Sequence, residues 1–191
     1  ESAYNINIGS ISNVSIEPEI VFLINTIERM GYQICFDKDK RIIRIIGNPN
    51  IKVKSITITI PEDRNILVTR MIARLISKQK IQFVANYGLD FDIFYDFLKK
   101  IGVNCFINNN YIVINDYDNN YSNESINVES GFYPKICSDW QPIIAVLLLT
   151  YCKSFNIYDE VFENRYEYMK QLESFLSGFE YDYDGKHLEV I

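Results

Sequence analysis

Three stretches of the chain share one order of apolar and polar positions. Each begins with apolar residues at helical spacing, passes through a glycine, and ends in two short apolar runs separated by a polar turn. This order predicts an amphipathic helix that ends near Gly31, Gly102 or Gly178 and is followed by a β-hairpin. The three stretches are LINTIERMGYQICFDKDKRIIRIIG (23–47), FYDFLKKIGVNCFINNNYIVIND (94–116) and YMKQLESFLSGFEYDYDGKHLEVI (168–191). Their similarity indicates an internal repeat.

A second pattern lies between these stretches and occurs twice. Residues 55–86 and 126–160 each predict a strand, a loop, a helix and another strand. Asp63 and Asp139 occupy matching positions, each just before the helix of its copy. Together the two patterns predict a β-α-β-α-β-β unit of about 75 residues, present in two full copies that follow the last half of a third.

The two helices of each unit differ in character. The first, most clearly WQPIIAVLLLTYC (140–152), is apolar almost all round, which is typical of a buried helix, whereas the second carries charges on one side. We therefore predict an α/β (α+β) fold in which mixed sheets and the amphipathic helices surround the apolar helices. The Asn-rich segment 116–125 is predicted to be a solvated connector, although its asparagines would also suit a binding loop.

Composition narrows the classes of function. The 191 residues are 48% hydrophobic with a net charge of -6, which is typical of a globular domain and argues against a nucleic-acid or anionic membrane surface. The longest apolar run, residues 143–152, is about half as long as a bilayer span. The start, ESAYNINIGS, shows no signal peptide and no Met, so we expect a fragment or processed product.

The cysteines and the histidine predict no metal site. The lone His187 has no metal-ligand partner, and the cysteines form no CxxC pair. We expect buried, reduced thiols in a cytoplasmic protein, and neither a metal nor another cofactor. The four cysteines are Cys35, Cys105, Cys137 and Cys152.

Two places in the sequence carry polar side chains that could belong to a functional site. Asp139 precedes a predicted helix that opens Trp-Gln-Pro, where an aspartate can serve either as a helix N-cap or as part of a site. The stretch DEVFENRYEYM (159–169) places Glu163, Asn164 and Arg165 between two aromatic residues. Arg165 suits binding of a phosphate or carboxylate, and it equally suits an ordinary surface ion pair.

Four segments carry a resemblance to a known family. In their order and spacing they are similar to the E-P-E-I, P-D-R, G-F-x-T-D-x-Q and F-E-N-R motifs of the UDP-N-acetylglucosamine 1-carboxyvinyltransferases. These are EPSP synthase-like enolpyruvyl transferases of peptidoglycan synthesis. The segments are SIEPEIVFLINTIERMG (15–31), PEDRNILVT (61–69), GFYPKICSDWQP (131–142) and EVFENRY (160–166).

The resemblance implies a fold and a domain boundary. The family has six β-α-β-α-β-β units in two domains of the inside-out α/β barrel type, with the active site in the cleft between them. About two and a half of these units would lie in this chain. Residues 1–52 would form the last half-unit of the first domain, and residues 53–191 would form two units of the second.

The resemblance also implies a reaction and its residues. The family transfers the enolpyruvyl group of phosphoenolpyruvate to the 3-hydroxyl of UDP-N-acetylglucosamine. Asp139 matches the aspartate proposed as base for that hydroxyl, and Arg165 matches an arginine near the reacting groups. Val161 matches a position whose backbone contacts the nucleotide-sugar, and Glu163 and Asn164 are expected to hold the turn and orient Arg165.

The chain departs from the family pattern at two places. Asp63 and Arg64 match the P-D-R turn and are secondary site candidates, but Glu62 is inserted there and a glycine is lost, which favours a structural role. The loop before Asp139 is longer than the family's. The family's lysine, its phosphoenolpyruvate-binding arginines and its reactive cysteine loop have no counterpart in the matching segments, and Cys137 is expected to be a packing residue.

Two classes of function therefore remain. One is part of an enolpyruvyl transferase that is inactive alone and needs a missing domain or a partner chain. The other is a non-catalytic module of the same fold that binds a partner chain or a nucleotide-sugar. A nucleic-acid binder is disfavoured by the acidic charge.

Overall fold

The chain forms two compact units, residues 1–60 and residues 61–191. The computed structural model describes residues 8–47, 52, 55–78, 81–84, 91–108, 111–114 and 125–191. The boundary between 52 and 53 that the family resemblance implies stays a prediction.

The first unit is a helix followed by a hairpin, with one strand before it. Its three strands form an antiparallel sheet in which the first and second strands flank the third. The helix begins at a proline, whose missing N–H costs nothing at that position, and ends in a Schellman turn at Gly31, where φ is +106°. The elements are β1 (Ile8–Ser12), α1 (Pro18–Arg29), β2 (Gln33–Asp37) and β3 (Ile42–Ile46).

The second unit contains two copies of a longer pattern. The elements of the first copy are α2 (Arg64–Ser77), β4 (Ile81–Val84), α3 (Asp92–Lys100), β5 (Cys105–Asn108) and β6 (Tyr111–Ile114). Those of the second copy are β7 (Ile126–Gly131), β8 (Ile136–Cys137), a 3-10 turn (Ser138–Trp140), α4 (Gln141–Tyr151), β9 (Phe155–Asp159), α5 (Tyr168–Glu173), β10 (Tyr181–Tyr183) and β11 (His187–Val190).

One strand arrangement recurs three times. A strand precedes the amphipathic helix and pairs antiparallel with the second strand of the hairpin that follows, as in β1 with β3, β4 with β6 and β9 with β11. In the second copy the sheet extends further, in the order β10-β11-β9-β7-β8, and β7 pairs in parallel with both β8 and β9. The predicted α/β class with mixed pairing is confirmed.

The apolar helix α4 lies at the centre of the second unit. None of its side chains is exposed, and Ile144, Ala145, Leu147 and Leu148 are buried completely. They belong to one continuous core with α2, α3 and the strands of both copies. The burial predicted from the all-round apolar pattern is therefore confirmed. No helix in the described ranges has both the length and the hydropathy that crossing a bilayer requires.

Four expectations from the sequence are wrong. Helix α2, predicted to be apolar like α4, is amphipathic and exposes Ile66, because only one of its sides packs into the core. Residues 55–60, predicted as a strand, are not in a strand, because none of the strands that the structure describes forms a ladder with them. Helix α5 ends at Glu173, well before Gly178, because the backbone bonds there tighten to i→i+3, from Ser174 N–H to the Gln171 carbonyl and from Phe175 N–H to the Leu172 carbonyl. Cys35 is exposed rather than buried, because it lies on β2 at the edge of a three-stranded sheet.

Part of the predicted hairpin turn, residues 109–110, and most of the predicted connector, residues 116–124, lie outside the described residues.

Candidate functional site

Asp139 lies in the 3-10 turn between β8 and α4. Its side chain is 57% exposed. The capping alternative is wrong, because the chain completes a 3-10 turn first and α4 begins only at Gln141, with Trp140 in the N-cap position and no side-chain cap. The carboxylate of Asp139 is therefore free of the helix terminus and points toward the loop that follows β9.

Trp140 anchors this turn to the first copy of the repeat. Its indole ring is buried, and its Nε1–H donates to Asn65 Oδ1 at 2.7 Å. The guanidinium of Arg64 lies 5.4 Å from the centre of the same ring, close enough for a cation–π contact. The residues at the start of α2 thus hold the turn that carries Asp139.

Asp63 and Arg64 stabilise the local structure. Asp63 is the N-cap of α2, and its Oδ1 accepts from the N–H groups of Asn65 at 2.8 Å and Ile66 at 3.3 Å. Arg64 is buried against Trp140. Their assignment to the site stays a prediction, and the geometry shows them supporting the turn next to it.

The Glu-Asn-Arg triplet forms a fixed loop between β9 and α5. Asn164 has a φ of +59°, in the left-handed region that asparagine tolerates, and its N–H donates to the Gly185 carbonyl at 2.7 Å. Glu163 lies 3.8 Å from Lys186 in an exposed ion pair. Both residues therefore connect the loop to the turn between β10 and β11, and their predicted role in orienting Arg165 stays a prediction.

Arg165 and Asp139 are brought together by the fold. The guanidinium Nη2 of Arg165 lies 3.5 Å from Asp139 Oδ1, and its Nη1 lies 3.5 Å from the Ser138 carbonyl. The guanidinium also stacks on the Phe162 ring, 4.1 Å from its centre. Arg165 remains 35% exposed. Because the polar contacts are long and partly open to solvent, donor groups of the guanidinium face outward and can meet an anion.

Asp159 was missed by the reasoning from sequence. It ends β9, has no exposed surface, and its Oδ1 accepts from Val161 N–H, Phe162 N–H and Ser138 Oγ–H. Because the N–H of Val161 donates to Asp159, the predicted contact of the Val161 backbone with a nucleotide-sugar would use its carbonyl. The signal in the sequence was an acidic residue at the end of an alternating apolar strand, directly before the candidate loop.

Gln141 and Tyr168 form a second polar contact behind the turn. The Gln141 amide Nε2–H donates to the Tyr168 hydroxyl, while its Oε1 is buried and meets no hydrogen-bonding group of the described residues. Burial raises the pKa of the Tyr168 hydroxyl well above its usual value. Tyr168 is therefore neutral, and it fixes the orientation of the Gln141 side chain.

The lengthened loop before Asp139 is tied to the residue after β9. Lys135 Nζ lies 2.7 Å from Glu160 Oε2 and 3.3 Å from Glu129 Oε2. The hydrogen bond with Glu160 raises the pKa of Lys135, and the same bond lowers the pKa of Glu160. Gly131 leaves room for this pair, since a Cβ there would lie 2.7 Å from Glu160 Cγ and Cδ. A side chain at residue 131 would therefore require the Glu160 side chain to move.

Cys152 is not suited to act as a nucleophile. Cys152 is buried, which raises the pKa of its thiol to about 11. None of the four cysteines forms a disulfide, and no cluster of three or more metal-ligating side chains occurs within the described ranges.

Comparisons with known proteins agree with the resemblance seen in the motifs. Residues 6–187 match the family described as EPSP synthase (3-phosphoshikimate 1-carboxyvinyltransferase). A UDP-N-acetylglucosamine 1-carboxyvinyltransferase of Pelagibacter ubique (strain HTCC1062) is 31% identical over 166 residues, which cover 85% of this chain and 38% of that protein. The enzyme of the same name from Protochlamydia amoebophila (strain UWE25) is 28% identical over 179 residues, covering 92% and 37%. The chain thus spans well under half the length of these relatives.

A solved structure shows the same fold. The enolpyruvyl transferase NikO from Streptomyces tendae superposes with a TM-score of 0.78 over 97% of this chain and 42% of its own, at 17% sequence identity. The motifs, the extent of the match and this fold lead to one conclusion. The chain belongs to the EPSP synthase family and forms an enolpyruvyl-transferase-type domain.

Proposed function

We propose that the chain carries part of the active site of an enolpyruvyl transferase. The reaction moves the enolpyruvyl group of phosphoenolpyruvate to the 3-hydroxyl of UDP-N-acetylglucosamine, a step of peptidoglycan precursor synthesis in the cytoplasm. Asp139 and Arg165 are the residues that act on the substrates. The observation that carries the proposal is the contact between them, 3.5 Å long and open to solvent.

This contact suits ligand binding better than stabilisation of the fold. An exposed ion pair with a long separation contributes little to stability, commonly about 0–1 kcal/mol. The two residues are nonetheless supplied by two loops, and each loop is fixed by a separate set of hydrogen bonds, at Asn65 for one and at Gly185 for the other. The supporting bonds therefore hold an acid and a cation in place at a surface.

The chemistry follows from the two groups. An exposed carboxylate can take the proton of a sugar hydroxyl as a general base. A guanidinium donates in parallel to phosphate or carboxylate oxygens, and both occur in phosphoenolpyruvate. Stacking on Phe162 keeps the plane of the Arg165 guanidinium fixed while its edge stays available.

We expect this chain to bind the nucleotide-sugar without turning it over. The lysine, the arginines and the cysteine loop that the family uses have no counterpart in the matching segments of these 191 residues. The relatives that the chain matches are also more than twice as long. Binding is therefore the property to measure.

The test is a calorimetric titration of UDP-N-acetylglucosamine into the chain and into Asp139→Ala and Arg165→Ala. Losing a charged hydrogen bond is expected to weaken binding about tenfold or more in each variant. The matched controls are Glu167→Ala and Lys170→Ala, which remove an exposed ion pair of 3.9 Å in the same unit. Equal affinity in all five proteins, or no heat from the unaltered chain, would overturn the proposal.

One observation favours a second candidate, a non-catalytic module of the same fold. The loop before Asp139 is longer than in the family motif and is tied down by Lys135 to Glu129 and Glu160. Such a loop can alter how Asp139 meets a substrate. Binding of UDP-N-acetylglucosamine that persists in Asp139→Ala but not in Arg165→Ala would favour this candidate.

A further inference from the structure

Asp159 lies beneath the proposed site and belongs to neither of the two loops that form it. It is the last residue of β9 and has 0% exposed surface. Its Oδ1 accepts three hydrogen bonds, from Val161 N–H at 2.9 Å, Phe162 N–H at 3.1 Å and Ser138 Oγ–H at 3.0 Å. Two of the donors begin the loop that carries Arg165, and the third directly precedes Asp139.

We propose that Asp159 is a positioning residue, whose single carboxylate oxygen holds the Asp139 turn and the Arg165 loop in register with each other. The proposal deepens the proposed function and rests on it for the ligand measurements described below. Asp159 touches neither reacting group, and it acts through Ser138 on one side and through the backbone of Val161 and Phe162 on the other.

Direct contact between Asp139 and Arg165 does not supply this register. At 3.5 Å and partly exposed, that contact is long for a charge-assisted hydrogen bond, which is commonly about 2.7–2.9 Å. The three bonds to Asp159 are shorter, at 2.9–3.1 Å. The bond from Ser138 is buried and the other two are partly buried, and a hydrogen bond away from water is electrostatically stronger. The hydrogen bonds to Asp159 therefore set the placement of the two loops relative to each other.

The surroundings of the other carboxylate oxygen, Oδ2, indicate that Asp159 does more than stabilise the fold. Oδ2 is buried and has no hydrogen-bond partner among the described residues. Burial of a carboxylate oxygen without a partner is costly, so a residue selected for packing alone would be apolar at this position. The three donors to Oδ1 are the reason for retaining an acceptor here.

The first experiment needs no ligand. Trp140 is the single tryptophan of the chain, so its indole N–H gives one isolated signal by NMR from the turn that carries Asp139. We expect Asp159→Ala to raise hydrogen exchange about tenfold or more at the Val161 and Phe162 amides and at this indole. Asp159→Asn keeps the accepting oxygen and is expected to leave all three signals protected.

Ser138→Ala separates the two halves of the connection. It removes the bond to Asp159 on the side of Asp139 and leaves Val161 and Phe162 bonded. We expect faster exchange at the Trp140 indole only. If Asp159→Ala fails to fold by circular dichroism, Ser138→Ala and Asp159→Asn still decide the question. An indole signal unchanged in Ser138→Ala, or in Asp159→Ala where that variant folds, would overturn the proposal.

The second experiment measures binding of UDP-N-acetylglucosamine through Trp140 fluorescence. Asp159→Ala is expected to weaken binding about tenfold or more, and Asp159→Asn to stay within about threefold of the unaltered chain. The control is Asp37→Ala, which removes another aspartate that accepts a backbone N–H in a turn. Equal weakening in Asp159→Asn and Asp159→Ala would contradict positioning through the acceptor oxygen.

The two experiments distinguish the two proposals. If the unaltered chain does not bind the nucleotide-sugar, the proposed function fails, and the exchange measurements still test the placement of the loops. If binding is found but exchange at the indole does not respond to Asp159→Ala, the positioning role fails alone.

Discussion

At the scale of single residues, the loop that carries Arg165 depends on one backbone conformation. Asn164 has a φ of +59°, which places its N–H on the Gly185 carbonyl and lets the chain turn from Phe162 toward Arg165. Most side chains are strained in this region because Cβ approaches the following carbonyl oxygen, while asparagine and glycine tolerate it. The middle residue of the triplet is therefore explained by its backbone rather than by chemistry at its side chain.

We predict that Asn164→Val lowers the free energy of unfolding by about 1–3 kcal/mol, because a β-branched side chain is strained at this φ. Asn164→Gly should change it by less than about 0.5 kcal/mol. Urea unfolding followed by circular dichroism measures both. Glu167→Val is the control, since Glu167 is exposed and has an ordinary φ of -61°. If Asn164→Val and Glu167→Val change the free energy of unfolding equally, backbone strain does not explain the asparagine at this position.

At the scale of elements, the matching helices of the two copies, α4 and α2, differ in their surroundings. Helix α4 lies in the core on all sides, and its first turn continues directly from the 3-10 turn that carries Asp139. Helix α2, at the matching place in the first copy, is amphipathic and exposes Ile66. Its first residues, Arg64 and Asn65, contact Trp140. The core thus positions the site through α4, and the first copy supports it from the side.

We predict that Leu148→Ala lowers the free energy of unfolding by about 2–5 kcal/mol, because it removes buried methyl groups and leaves a cavity in close-packed surroundings. Leu148 has no exposed surface. The control is Leu176→Ala, which makes the same change where the side chain is 38% exposed and should cost less than about 1 kcal/mol. Thermal unfolding of the two variants compares them, and similar midpoints would show that α4 is not packed as described.

At the scale of the whole molecule, the two units differ in how much core they bury. Among the described residues of 1–60, only Ile24 and Ile43 are buried hydrophobic side chains. The core of residues 61–191 extends through both copies of the repeat. Units of about 60 residues with little buried apolar surface are marginally stable, whereas larger units bury a greater fraction of their surface.

We predict that residues 61–191 produced alone unfold cooperatively in urea, with a midpoint close to that of the main transition of the full chain. Residues 1–60 produced alone should show no cooperative transition, because two buried side chains cannot offset the conformational entropy of ordering the backbone. Circular dichroism of the three proteins provides the test. A gradual, non-cooperative loss of signal in 61–191 would show that its core is not sufficient by itself.

Much of the fold follows from local patterns in the sequence. Helical spacing followed by glycine places α1 and α3 and their Schellman turns at Gly31 and Gly102, because glycine has no Cβ to strain a left-handed backbone. The all-round apolar pattern of α4 predicts its burial. Four motifs are sufficient to identify the family. These features depend on residues close together in the chain, so the sequence alone determined them.

Only the tertiary structure decided which residues meet. Asp139 and Arg165 are 26 positions apart, and no local pattern places a turn of one element beside a loop of another. The burial of Asp159 and the three hydrogen bonds to its Oδ1 are likewise visible only in the folded structure. Residues 55–60 have the alternation of a strand but pair with none of the described strands. Pairing and burial are properties of the folded whole, because each requires a second surface that the local sequence does not specify.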